Sequence, residues 1–249
     1  MKKFAVLLIA GLLAVSFTAC SSDEGTSSDN LISSVSSEVS TSGEIGDLLM
    51  NSFGKLFIGS KYYIDVAITS ETYSTESTGS EDKIEYSYEL AVDLENERAG
   101  LNMETYDGQN VSIVIKDGIG YEIEYDEKTV TTHTSDVEVS DFAQSYTTYV
   151  YLGTLSGITL STSGITTYNG TECEFERYII VLSETSETNN AMVTYYFKDG
   201  TPVAEVMESG SGKVTFTFNE VSDNIDESIF DVPEDYETVS GDTSSESWK

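Results

Sequence analysis

The chain has 249 residues, with 44 acidic against 12 basic side chains and a formal charge of −32. A surface of that sign repels nucleic acid and anionic headgroups, which excludes nucleic-acid binding; the acidity reads as a solubility device first and as a face for cationic partners second. Hydrophobic residues make up 39% of the chain, with 16 Tyr and 10 Phe, too much apolar material for a disordered protein and enough for one packed domain of about 200 residues.

In chain order, the first signal is Lys2-Lys3 followed by an apolar run from Phe4 to Phe17 that stops at Thr18-Ala19-Cys20. The run is shorter than the ~20 residues of a spanning helix. A basic start, a short apolar core and a small residue before cysteine resemble the lipobox signal peptides of bacterial lipoproteins, with Phe17 where that family usually has Leu. The resemblance implies removal of residues 1–19, diacylation of Cys20 as the new N-terminus, and anchoring to a bacterial membrane on its extracytoplasmic side. Two or three acyl chains anchor stably where one does not. The competing reading, a secreted protein cut after Ala19, leaves Cys20 as a free thiol. With Cys20 acylated, only Cys173 remains and no internal disulfide can form. Alternation puts Cys173 on the face of Phe175, as a small buried hydrophobe.

Residues 20–42 are the lipidated cysteine and a Ser-rich, acidic tether with an average reach near 25 Å. Thr41-Ser42-Gly43-Glu44 matches a capping box. Ile45, Leu48, Leu49, Ser52, Phe53, Leu56 and Phe57 follow at helical spacing, with Gly59 placed to close the helix. Gly54 is the one interior residue that argues against it.

After Gly59 the period changes to two. Ile84, Tyr86, Tyr88, Leu90, Val92 and Leu94 form the dry face of a long strand. The same alternation marks Tyr62-Ile64-Val66-Ile68, Val111-Ile113-Ile115, Ile119-Tyr121-Ile123-Tyr125, Val214-Phe216-Phe218 and, less cleanly, Ala191 to Phe197. Asp107-Gly108, Asp117-Gly118, Asp199-Gly200 and Ser209 to Gly212 supply hairpin turns between them, predicting an antiparallel meander. Pro202 stands just inside a strand over 201–207. Phe142, Tyr146, Tyr149 and Val150 predict a second helix, which β-branched Thr147, Thr148 and Val150 weaken toward strand. Residues 153–170 read as a flexible crossover or lid. The domain spans 43–239, and 240–249 is a polar tail whose Trp248 has no assigned role.

Nine to eleven strands at 4.7 to 4.9 Å spacing span about 40 Å or more, and two helices each ~10 Å wide shield roughly half of that. Curling of the sheet, the 153–170 segment or a ligand must cover the remainder. The fold expected is mainly β (α+β): a curved antiparallel sheet forming an incomplete barrel wrapped around one or two helices. The order of elements and the closing Phe230-x-x-Pro233-x-x-Tyr236 pattern within Ile229 to Tyr236 resemble the LolA-like and LppX-like lipoproteins, over about residues 43–239. That resemblance implies a half-barrel enclosing a pocket for acyl chains, and a carrier that binds and releases them. It transfers no particular ligand and no acyl-releasing arginine, since Arg98 and Arg177 both lie within strands.

Chemistry-bearing patterns are sparse. His133 is the only histidine, no G-x-S-x-G motif precedes a helix, and a Cys173/His133 dyad requires both side chains to face one cleft. No metal-site spacing occurs, so no metal and no cofactor are expected, and Asp223, Asp226 and Glu227 read as a solvated acidic turn. The glycosylation patterns at Asn110 and Asn169 carry no meaning in a bacterial lipoprotein. The leading expectation is therefore a non-enzymatic binder of a hydrophobic or amphiphilic ligand, held in a cleft lined by Leu49, Phe53, Phe57, Ile64, Val66, Tyr86, Tyr88, Leu90, Ile113, Tyr121 and Phe216, each equally readable as plain core. The alternative is an envelope interaction module presenting its acidic outer face to a sensor, wall polymer or cationic peptide. An enzyme ranks third, and the sequence identifies no protein partner.

Overall fold

A computed structural model describes residues 48–73, 82–105, 108–134, 138–151, 158–181, 190–210 and 212–240. The signal peptide, the tether, the capping box and the tail with Trp248 lie outside the described residues. Two helices, α1 (Leu49–Ile58) and α2 (Val139–Val150), accompany twelve strands: β1 (Lys61–Thr72), β2 (Asp82–Asp93), β3 (Arg98–Glu104), β4 (Asn110–Lys116), β5 (Ile119–Glu124), β6 (Thr129–Thr134), β7 (Ile158–Tyr168), β8 (Thr171–Val181), β9 (Asn190–Lys198), β10 (Thr201–Ser209), β11 (Gly212–Ser222) and β12 (Glu237–Ser240). Short 3-10 turns occupy Leu94–Asn96 and Glu227–Phe230.

The strands form one open sheet in the order β12-β6-β5-β4-β3-β2-β1-β11-β10-β9-β8-β7. It is a curved incomplete barrel that carries both helices. The single meander expected from the turns is instead two meanders, β1–β6 and β7–β11, joined where β1 pairs antiparallel with β11. Among the described strands, only β12 on β6 is parallel. The connection between the meanders passes through α2, since two antiparallel runs can share a sheet only if the chain crosses over between them. Three bulges, at Asp65/Val66, Leu160/Thr162 and Pro202/Ala204, tighten the curl.

The turns follow from residue chemistry. Asp117-Gly118, Asn169-Gly170 and Asp199-Gly200 all have positive φ at both positions, the type I′ geometry that matches strand twist. Asn169-Gly170 thus joins β7 to β8, so the 153–170 segment is not a lid over its described part: residues 158–168 are an edge strand. Its Ser/Thr composition concealed the strand, because an edge strand of intermediate and exposed residues needs no apolar face.

Two cores result. On the concave face, Ile64, Val66, Leu90, Leu101, Ile113, Phe216 and their neighbours pack beneath Phe53 of α1 and Phe142 and Tyr146 of α2. On the convex face, Ala91, Val114, Ile123 and Val130 are covered by Ile225, Ile229 and Phe230. This closing segment is a strap. Arg98 ion-pairs with buried Asp93 at 2.8 Å and with Glu227 at 2.6 Å, and its guanidinium lies 4.3 Å from the Phe230 ring centre. Lys116 donates to the Phe230 carbonyl at 2.9 Å, and Tyr236 packs edge-on against Tyr125. The acidic turn is solvated, with Asp223, Asp226 and Glu227 all exposed; within it Glu227 also binds Arg98, and Asp226 accepts from the Ser228 amide at 3.0 Å.

Candidate functional site

The candidate site is the concave face of the sheet and the two helices packed on it. Helix α1 has no side-chain cap of its own at Leu48. Its cap comes instead from Glu176 on β8, whose carboxylate accepts from the Leu49 amide at 2.6 Å and the Met50 amide at 2.9 Å. The Tyr178 hydroxyl donates to the same carboxylate at 2.8 Å. A negative charge at a helix N-terminus meets two otherwise orphaned donors. Gly59 ends the helix in extended rather than left-handed backbone, its amide donating to Leu56.

Helix α1 meets the end of α2 at Gly54, where an added Cβ would lie 2.6 Å from Tyr151 Cε2 and closer still to Cζ and Oη. The glycine that weakens the helix in sequence is what admits the Tyr151 ring. That ring stacks on Phe57 with centres 5.6 Å apart and meets Phe53 edge-on at 6.0 Å. Phe53 in turn touches Phe218 at 5.5 Å and Tyr195 at 6.4 Å.

Ten of the eleven expected lining residues gather here. Phe53, Ile64, Val66, Tyr88, Leu90, Ile113 and Phe216 are buried, and Leu49, Phe57 and Tyr86 are partly buried against them. Tyr121 does not join them. In register, Tyr121 lies opposite Val114 while Glu122 lies opposite Ile113, so Tyr121 and Ile123 serve the convex core and β5 turns Glu122 inward. The β5 alternation does mark the dry set, but that set faces the strap rather than the hollow, because the strap supplies a second apolar surface that the strand pattern alone does not reveal. Likewise Leu94 leaves the dry face of β2 for an exposed turn.

The floor also carries polar groups that sequence reasoning missed. Glu205 on β10 lies between Tyr195 of β9 and Phe216 of β11 in register. It is completely buried. Neither carboxylate oxygen accepts a hydrogen bond of good geometry, and the Tyr88 hydroxyl is likewise unsatisfied. Burial pushes the Glu205 carboxyl well above the ordinary carboxylate range, only partly offset by the Tyr195 hydroxyl. Burial likewise raises Tyr88, with smaller contributions from Tyr86, Glu205 and Tyr146, and pushes Tyr86 up to about 12. The available signal was an acid inside the apolar run Val203 to Met207, which alternation would have turned inward.

At the β5–β6 end, His133 Nε2 lies 3.5 Å from Glu122 on the concave side. Cys173 is buried with Phe175 on the opposite face of the sheet, so the Cys173/His133 dyad does not form. Among the described residues, no group of three or more His, Cys, Asp or Glu side chains is placed to hold a metal ion. No described helix is long and apolar enough to cross a membrane. The convex face carries a separate open groove of about 650 Å³, lined by Asp65, Glu89, Asn102, Glu104, Ser112 and Tyr125 among others. Hydrogen bonds link Glu89 to Asn102, Asn102 to Ser112, and Ser112 to Tyr125.

No family model matches the sequence, and no curated protein matches it. Solved structures similar to this chain include the lipoprotein LppX of Mycobacterium tuberculosis, at 15% identity over 72% of this chain and 97% of that one, with a TM-score of 0.40. LprF of Mycobacterium bovis is 10% identical over 72% and 93%, with a TM-score of 0.41. A LolA-superfamily protein of Nitrosomonas europaea is 10% identical over 75% and 99%, with a TM-score of 0.31.

Proposed function

We propose that this chain is a non-enzymatic cell-envelope lipoprotein, anchored through acylated Cys20 on the extracytoplasmic side, whose half-barrel takes up the apolar part of a lipid or other amphiphile. One observation carries the reading. The apolar floor runs without interruption from β4 through β1 to β11, and β12 and β7 do not pair to close the barrel over it. Twelve strands span roughly 55 Å of arc, whereas two helices cover about 20 Å. Helices α1 and α2 make the closure over this floor. Displacing them uncovers Ile64, Val66, Leu90, Ile113 and Phe216 at once, a surface with the shape and polarity of a ligand site. In the closed form these side chains touch the helices directly, so uptake exchanges helix contacts for ligand contacts.

Native mass spectrometry of the protein purified from its own membrane tests this reading. The expected spectrum carries a co-purifying lipid whose mass disappears on organic extraction and whose loss accompanies Phe53→Asp. A consistently bare protein, together with no uptake of any added amphiphile, refutes it. Cys20→Ser is expected to move the protein from the membrane to the soluble fraction. Retention on the membrane refutes the anchor.

The convex groove supports a second reading, an acidic docking face for a cationic peptide or wall polymer. Binding there weakens steeply with salt, whereas uptake of an acyl chain barely responds.

A further inference from the structure

The hollow contains a carboxyl group with nothing to bind. Glu205 is fully buried in the floor, and both its oxygens lack a hydrogen bond of good geometry. Buried polar groups in folded proteins are satisfied in the great majority of cases, and an exception calls for an explanation, of which a partner arriving from elsewhere is one. Among the described residues no cation acts on it: the influences on the carboxyl are its burial and the Tyr195 hydroxyl. The unsatisfied Tyr88 hydroxyl belongs to the same interior, since its ionisation is opposed by Glu205 and its ring lies 6.2 Å from that of Tyr146. The strand neighbours of Glu205 are themselves aromatic, Tyr195 and Phe216, and Phe53 packs above Tyr195.

We infer that the polar head of the ligand is an ammonium group paired with Glu205, so that the hollow selects cationic amphiphiles. This rests on the half-barrel being a ligand site, as proposed above, and specifies its chemistry. A buried carboxylate alone is costly, and an ammonium brought beside it supplies the opposite charge together with N–H donors. Ring faces attract a cation further once water is removed. An anionic amphiphile would place two acids together in a dry site, and a neutral one would leave the carboxyl without a counter-charge. The formal charge of −32 on the whole chain concentrates cations around the protein and repels anions before contact.

Isothermal titration with four twelve-carbon probes below their micelle concentrations decides it: dodecylammonium, dodecyltrimethylammonium, dodecyl maltoside and dodecyl sulfate. Each is titrated into the purified protein and into Glu205→Gln and Glu205→Leu, with folding of the variants checked by circular dichroism. The expected order is dodecylammonium at least tenfold tighter than the maltoside, the trimethylated cation intermediate because it has no N–H, and the sulfate weakest. Both variants are expected to erase the preference for cations over the maltoside. The wild-type preference is expected to survive 0.5 M NaCl, which removes attraction to the acidic surface but not to a buried pair. Equal affinity for cation and maltoside, a preference unchanged in both variants, or a preference abolished by salt overturns the inference and leaves the ligand site standing. Failure of all four probes to bind overturns the ligand site itself.

Discussion

Replacing Gly54 by Ala should have opposite signs in two backgrounds. At an interior helical position the exchange alone stabilises by about 1 kcal/mol. Here the new methyl would lie 2.6 Å from Tyr151 Cε2, against an ordinary contact of 3.4–4 Å. The ring would have to retreat by roughly 1 Å or more, and overpacking of this kind costs about 1–3 kcal/mol. It cannot retreat freely, because it stacks on Phe57 and abuts Phe53. Gly54→Ala in the wild-type background is therefore expected to lose up to about 2 kcal/mol, the overpacking less the helical gain. In a Tyr151→Ala background the obstruction is gone, and the same exchange should gain about 1 kcal/mol. The four proteins form a double-mutant cycle, measured by urea unfolding followed by circular dichroism, with an expected coupling of about 1–3 kcal/mol. If Gly54→Ala stabilises both backgrounds equally, the contact between the helices is not built on this glycine, and the account of how α1 and α2 close the hollow fails with it.

Glu176→Ala strips the cap from α1, leaving two amides and the Tyr178 hydroxyl without an acceptor; a loss of about 3 kcal/mol or more is expected, with faster hydrogen exchange at Leu49 and Met50. Exchange rates confined to wild-type values would show that the helix does not depend on β8. Glu205 gives stability a pH dependence of definite sign. Its folded carboxyl stays protonated above the pH at which the unfolded one ionises, so the native state holds the extra proton. Stability from this group is complete below the ordinary carboxylate range and falls as pH rises, by up to about 1.4 kcal/mol per unit, until the folded group itself ionises. Glu205→Gln should flatten that slope in urea titrations at successive pH values, and an unchanged slope would contradict the assignment. On the convex face, Gly100→Ala would bring a Cβ within 2.6 Å of the Ile229 carbonyl oxygen. The strap should loosen, and limited proteolysis should then cut near residues 225–236 in the variant but not in the wild type.

What the sequence discloses here depends on whether one strand or several are needed to define a position. Strict alternation in β1 is visible in a single segment, and its buried set Tyr62, Ile64, Val66 and Ile68 is where the period puts it. The turns at Asp117-Gly118 and Asp199-Gly200 are equally local, since left-handed backbone selects those residue pairs. Asn169-Gly170 has the same chemistry, yet the hairpin is not legible in the sequence because the strand before it buries little. Tyr121 shows the opposite case. Its alternation is clear, but the side of the sheet on which its apolar set is buried depends on a strap more than a hundred residues away in sequence. Glu176 and Glu205 lie furthest from legibility. Glu176 continues the alternating acids Glu172 and Glu174 whereas Glu205 interrupts an apolar run, and neither pattern discloses the outcome: Glu176 reaches the end of a helix and is satisfied, whereas Glu205 reaches only aromatic rings and is not. The distinction lies wholly in what the curled sheet brings overhead. An unsatisfied acid would ordinarily be replaced by an apolar residue without loss of fold, since a well-packed hydrophobe in its place is neutral or stabilising. That it stands in the floor of the hollow, where stability alone would favour a leucine, is the physical ground for assigning it to a ligand rather than to the core.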